Sequence, residues 1–200
     1  MSRYCSQCGK SLKACICQWI QSLASNVELI ILQHPSESKR PMGTARILTL
    51  SLPNSYYFEG EDFSQHSELN QLICDPQVRH FVLYPGEGSV EAQASMSHSE
   101  EKIRVILLDG TWKKAFKMWQ LSTNLHDLPL LRLPSELKGN YRIRKAPSDN
   151  ALSTVEAGYY ILSILQPEQD FSPLIDAFEK MIQFQIDQMP AGVFEKNYRS

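Results

Sequence analysis

No apolar run in this 200-residue chain approaches the roughly 20 residues that a membrane-spanning helix needs. The opening MSRYCSQCGK lacks the apolar core of a secretory signal. No membrane partner is expected, and the chain reads as a cytoplasmic protein, where structural disulfides are rare. Charge of one sign is missing too: 20 Lys and Arg stand against 22 Asp and Glu, for a net −2 at pH 7. No global field draws the chain to nucleic acid, so any such binding must come from local patches. Internal repeats and low-complexity stretches are absent. Apolar residues at 42%, aromatics at 10% and charged residues at 21% exclude disordered and fibrous classes. A chain of this length suits one domain burying roughly 70% of its unfolded surface.

Cysteine is scarce, five residues in all, yet four fall within the thirteen residues CSQCGKSLKACIC. These are Cys5, Cys8, Cys15 and Cys17. A CxxC pair places two thiolates on one tetrahedral metal, with Gly9 permitting the tight turn that follows. The second pair is CxC, tighter than usual zinc-ribbon spacing. Two disulfides or unrelated thiols are the alternatives; the reducing compartment favours structural zinc. Cys74, in LICDPQ, has no neighbour of its kind and reads as a small buried hydrophobe.

Beyond this knuckle, VELIILQHP (27–35) reads as a buried strand, and an apolar helix or strand begins at Ala45. SYYF (55–58) is a short aromatic strand, and SQHSELNQLIC (64–74) a helix with Ser64 near its cap. RHFVLYPGEGS (79–89) is a strand running into a glycine loop. RVILLD (104–109) is a short strand of the kind buried on both faces of a parallel sheet, and a helix follows it on which Trp112, Ala115, Phe116 and Trp119 share one face. A short strand lies around Leu130 to Leu133. Ser153 and Glu156 are spaced as a capping box. A last helix begins at Ser172 and Pro173, with Leu174, Phe178, Met181, Ile182, Ile186 and Met189 on one side. Strands alternating with helices imply an α/β domain with a mainly parallel sheet.

Asp109 sits at the carboxyl end of a buried strand, where open α/β sheets place their ligands. Either Asp109 or Thr111 merely caps the next helix, or Thr111 caps it and Asp109 is free for chemistry. Lys113, Lys114 and Lys117 occupy the opposite helical face. The first two lie near the N-terminus, where the macrodipole disfavours cations by a few tenths of a kcal/mol. An anionic partner is the natural reason for them. Gly86 and Gly88 suggest a nucleotide turn, but Glu91 breaks the GxGxxG fingerprint, which leaves an ordinary loop. Arg142, Arg144 and Lys145 beside Tyr141 suit phosphates and splayed bases, and Lys39, Arg40 and Arg46 add a second basic loop.

Together, CSQCGKSLKACIC, LQHPSESKRPMGTARIL, LYPGEG, LLDGTWKKAFKM and LSTVEA resemble the DTW-domain family of tRNA-uridine aminocarboxypropyltransferases. Asp109, Gly110, Thr111 and Trp112 match its DxTW signature. The chain is similar in particular to bacterial members that modify a variable-loop uridine. The resemblance implies transfer of the 3-amino-3-carboxypropyl group of S-adenosylmethionine (SAM) to N3 of a tRNA uridine, releasing 5′-methylthioadenosine. It implies a SPOUT-like, knotted α/β fold with helices on both sheet faces. Residues 1–22 would be the zinc knuckle and 23–200 the catalytic domain. Asp109 would be the catalytic base. SAM would lie against Thr44, Leu83, Tyr84, Pro85, Gly86, Leu131, Leu133 and Ser153. tRNA would meet Lys39, Arg40, Lys113, Lys114, Lys117, Arg142, Arg144 and Lys145. No obligate protein partner is implied. The competing classes are a SAM-dependent RNA methyltransferase and a non-catalytic zinc-containing RNA-binding module.

Overall fold

A computed structural model describes residues 3–38, 40–97, 101–137, 139 and 152–190. Its strands are β1 (Val27–Gln33), β2 (Tyr56–Glu59), β3 (Val78–Leu83), β4 (Val90–Glu91), β5 (Lys102–Asp109) and β6 (Leu130–Arg132). They form a six-stranded sheet in the order β2-β1-β5-β3-β6-β4, with every pair parallel. The helices are α1 (Pro35–Ser38), α2 (Ala45–Ser51), α3 (Ser67–Ile73), α4 (Trp112–Leu121), α5 (Thr154–Leu165) and α6 (Ser172–Asp187). Among the described residues no helix is long and apolar enough to cross a membrane.

A parallel sheet needs both faces covered, and the alternation of side chains along its strands supplies two apolar surfaces. Leu29, Ile31, Val105 and Leu107 enter one core cluster with residues of α2, α5, α6 and the cysteine segment. Ile30, Leu32 and Ile106 enter the other, with Leu69 of α3 and Met118 of α4. Helices therefore cover both faces. Gly158 marks the closest approach on the first face: a Cβ there would meet Leu48 of α2 at 2.7 Å. Close packing of this kind seats the start of α5 over the carboxyl edge of the sheet.

The capping box of α5 is present. Ser153 accepts from the Glu156 N–H, and the Ser153 N–H donates to Glu156 Oε2 at 2.7 Å. Helix α6 buries Leu174, Phe178, Met181 and Ile182 on the face that its periodicity predicts, while Ile186 is half-buried and Met189 lies beyond the helix end at Asp187. Three expectations fail. The cap of α3 is His66, which accepts from the Leu69 N–H, because the helix begins only at Ser67 and Ser64 lies in the turn before it, its N–H donating to Asp62. Cys74 is exposed at the end of α3, because the chain leaves the core at that helix's carboxyl end. On α4 only Ala115 and Met118 are buried, and Trp112 and Phe116 stand in solvent. The buried face of α4 is centred between Ala115 and Met118, and at about 100° per residue Trp112 and Phe116 fall on the helix flank.

Candidate active site

Strand order puts the ends of β1 and β5 side by side, with Gln33 directly opposite Asp109. Both side chains are buried. Gln33 Nε2 donates to Asp109 Oδ2 at 2.5 Å, and Thr154, the first residue of α5, donates to Oδ1. Tyr57 on β2 donates its hydroxyl to Gln33 Oε1 at 2.6 Å. Burial, then the charges of Glu59 and Asp109, push the Tyr57 hydroxyl up to about 12. It therefore keeps its proton and occupies the amide oxygen, which turns the Gln33 amide nitrogen toward the carboxylate. Asp109 is thus gripped on both oxygens by neighbours from separate elements. It does not cap α4. Thr111 holds the cap position, its carbonyl accepting from the Ala115 N–H at 2.8 Å, but its side chain makes no capping bond.

Above Asp109 opens a cavity of about 590 Å³, within the roughly 300–1,000 Å³ typical of small-molecule sites. Asp109, Gly110, Thr111 and Trp112 all line it, as do Thr44, Leu83, Tyr84, Pro85, Leu131, Leu133 and Ser153. Gly86 lies outside the lining. Its missing side chain lets the Tyr84 ring and Leu130 close together, since a Cβ would meet Leu130 at 3.0 Å. The wall is apolar along the leucines and polar near Asp109. Thr44 Oγ1 accepts from the Val155 N–H at 3.3 Å, filling one of the donors that a helix start leaves open.

The basic residues divide. Lys114 reaches Glu37 at 2.8 Å and Lys117 reaches Glu61 at 2.8 Å. Lys113 is exposed and has no ion-pair partner among the described residues. Arg40 lines the cavity and pairs with Glu37 at 3.0 Å. Arg46 points away from the cavity to the Gln7 carbonyl. Lys39, Arg142, Arg144 and Lys145 lie outside the described residues. The sequence reading missed Gln33, Tyr57 and Thr154. Gln33 carried a usable signal, a polar residue closing an otherwise apolar strand; Tyr57 and Thr154 carried none.

At the N-terminus, the sulfurs of Cys5, Cys8, Cys15 and Cys17 all lie within 4.8 Å of one another. Gly9 takes the left-handed conformation (φ 71°) in the turn after Cys8. Cys5 and Cys17 are 3.7 Å apart, Cys8 and Cys15 3.8 Å. A tetrahedral zinc at ~2.3 Å from each thiolate would set such separations near ~3.8 Å, far beyond the ~2.05 Å of a disulfide. Backbone N–H groups of Cys8 and Gln7 bring the Cys5 thiol down to about 6, whereas burial pushes Cys17 up to about 12. Four thiols this close cannot all ionise without a cation between them. The donor set fits zinc. Lys10, from the same segment, donates to the carbonyls of Pro41 and Gly43 at 2.5 and 3.2 Å, bracing the strip that carries Met42 and Thr44 on the cavity wall.

The chain is similar in sequence to known proteins over most of its length. The chain is 29% identical over 191 residues to tRNA-uridine aminocarboxypropyltransferase 2 of Drosophila melanogaster, covering 92% of this chain and 75% of that protein. It is 29% identical over 168 residues to the Mus musculus protein of the same name, covering 81% of this chain and 56% of that one, so it spans little more than half of the mouse relative. To tRNA-uridine aminocarboxypropyltransferase A of Arabidopsis thaliana it is 26% identical over 211 residues, covering 90% of this chain and 80% of the plant protein. The DTW domain profile matches residues 2–186, from the cysteine knuckle to the last helix. With that profile spanning nearly the whole chain and its signature residues gathered on one cavity wall, this protein belongs to the DTW domain family.

Proposed function

We propose that the chain transfers the 3-amino-3-carboxypropyl group of SAM to N3 of a uridine in tRNA. The observation that carries this reading is the buried Asp109 carboxylate, held on both oxygens, facing a cavity lined by the whole DxTW segment. The relatives' names agree with it. Uridine N3 is protonated at neutral pH and cannot attack carbon until that proton leaves. Asp109 accepts the proton. The freed N3 electron pair attacks the methionine γ-carbon, the γ-carbon–sulfur bond breaks, and its electrons neutralise the sulfonium as 5′-methylthioadenosine departs. Gln33 and Thr154 keep the carboxylate aimed, so proton transfer needs no reorganisation. The cavity selects the γ-carbon over the equally activated methyl by orientation. SAM lies against Thr44, Leu83, Tyr84, Pro85, Leu131, Leu133 and Ser153.

Four further elements complete the proposal. Zinc on the four cysteines clips residues 1–22 to a catalytic unit of 23–200. The fold is SPOUT-like and knotted, in keeping with the insertion of β5 and β6 between earlier strands. The enzyme works in the cytoplasm on a variable-loop uridine. The tRNA backbone runs over Lys113 and Lys117, joined by Lys39, Arg40, Arg142, Arg144 and Lys145. Lys114, turned to Glu37, braces the cavity rim.

The test is to incubate the protein with SAM and unmodified tRNA and identify the sulfur product. Methylthioadenosine is expected. S-adenosylhomocysteine would mean methyl transfer, and neither product would mean binding alone. The Lys117–Glu61 pair is exposed and screened by solvent, so phosphate can displace Glu61. Replacing Lys113 and Lys117 with Ala should weaken tRNA binding and lower its salt slope by about 1 for each phosphate left without its lysine. Titrations at several salt concentrations check this, with SAM affinity unchanged. An unaltered slope would leave the lysines as a solvated face.

A further inference from the structure

Trp112 and Phe116 are 52% and 55% exposed, although α4 is anchored to the core without them. Met118 and Ala115 fill the sheet side, and Trp119 is stacked on Tyr84 with centroids 5.2 Å apart. At 3.6 residues per turn, Trp112 and Phe116 lie one above the other, and Lys113 and Lys117 form a parallel row beside them, away from the core. Trp112 lines the cavity and Phe116 stands one helical turn beyond it, with the two lysines alongside. Rows of rings beside rows of cations are how proteins hold single-stranded nucleic acid, bases on the rings and phosphates on the cations.

We infer that Trp112 and Phe116 form a stacking step for a base adjoining the target uridine. This rests on the proposed transfer to tRNA uridine. To reach the buried Asp109, the uridine must leave its stack and enter the cavity, which strands its neighbour without a partner. A half-exposed ring pair at the mouth supplies one. The patch is too small to hold a second copy of the chain. Two aromatic side chains offer ~150–250 Å² each, well short of the ~800 Å² per partner in a stable interface.

Phe116 tests the step, because it lies outside the cavity lining. Phe116→Ala should raise the KM for tRNA roughly 5- to 100-fold, the worth of one stacked base. The SAM Kd and kcat at saturating tRNA should hold, and Phe116→Tyr should behave as the parent. On tRNA made abasic at the stacked neighbour, Phe116→Ala should carry no further penalty. The step is overturned if the parent transfers the group and Phe116→Ala leaves KM unchanged, or if its penalty persists on tRNAs abasic at either flank. It is equally overturned if light scattering shows a dimer that Phe116→Ala dissociates while KM stays at the parental value. A parent that transfers nothing to tRNA is a different failure, that of the functional reading itself.

Discussion

Replacing Asp109 with Asn should leave the protein folded and lower its transfer rate by roughly 10²- to 10⁴-fold, the usual contribution of positioned proton transfer. Asn fits the site: its oxygen can accept from Gln33 Nε2, and its amide can donate to Thr154 Oγ1 once that hydroxyl turns. The link between β1, β5 and α5 is then kept, and thermal stability should stay near the parent's. SAM and tRNA affinities should also survive, because the carboxylate acts mainly as N3 loses its proton. Raising the pH should partly restore the rate, since solvent then removes the proton that Asp109 would have taken. A variant with parental turnover would make Asp109 a structural tie between strand and helix and nothing more. Single-turnover rates, paired with a melting curve, separate these outcomes.

The second large effect concerns the cysteine cluster. Protein prepared without added metal should hold one zinc per chain, and Cys8→Ser, at the most buried ligand, should lose it. Zinc supplies ~10–16 kcal/mol of folding free energy to zinc-finger peptides. Here the segment is also held by Ile16 in the core and by Trp19 against Phe184 on α6. A loss of at least ~3 kcal/mol is therefore expected, which in a chain of this size lowers Tm by roughly 6–12 °C. SAM affinity should fall as well, because Lys10 and the Gln7 carbonyl hold the Pro41–Gly43 strip and Arg46 of α2. Elemental analysis and calorimetry check both parts. Metal far below one equivalent, with the cysteines paired as disulfides, would contradict the assignment.

Local features of this fold were legible because local physics sets them. The apolar runs of β1 and β5, the Ser153–Glu156 box and the buried face of α6 follow from neighbours a few residues apart. Asp109 stood out as a charge closing an apolar run, and the structure places it on a cavity wall with the rest of its motif. What holds Asp109 was not legible. Gln33 lies 76 residues away and Thr154 lies 45 residues away; the pairing of β5 with β1 brings the first to Asp109, and the packing of α5 over the sheet edge brings the second. Periodicity failed on α4 because it centres the buried face on the aromatic rings, whereas Ala115 and Met118 turn to the sheet. The carboxylates that engage Lys114 and Lys117 come from the segments after β1 and β2, at distances no spacing rule reaches.

The most direct measurement uses SAM labelled separately on its methyl carbon and on its carboxyl carbon. After incubation with protein and unmodified tRNA, the tRNA is digested to nucleosides and each label is followed. Aminocarboxypropyl transfer predicts the carboxyl label on a uridine derivative substituted at N3, with the methyl label released in methylthioadenosine. Methyl label in the nucleoside, or carboxyl label left wholly with the small molecules, would contradict it.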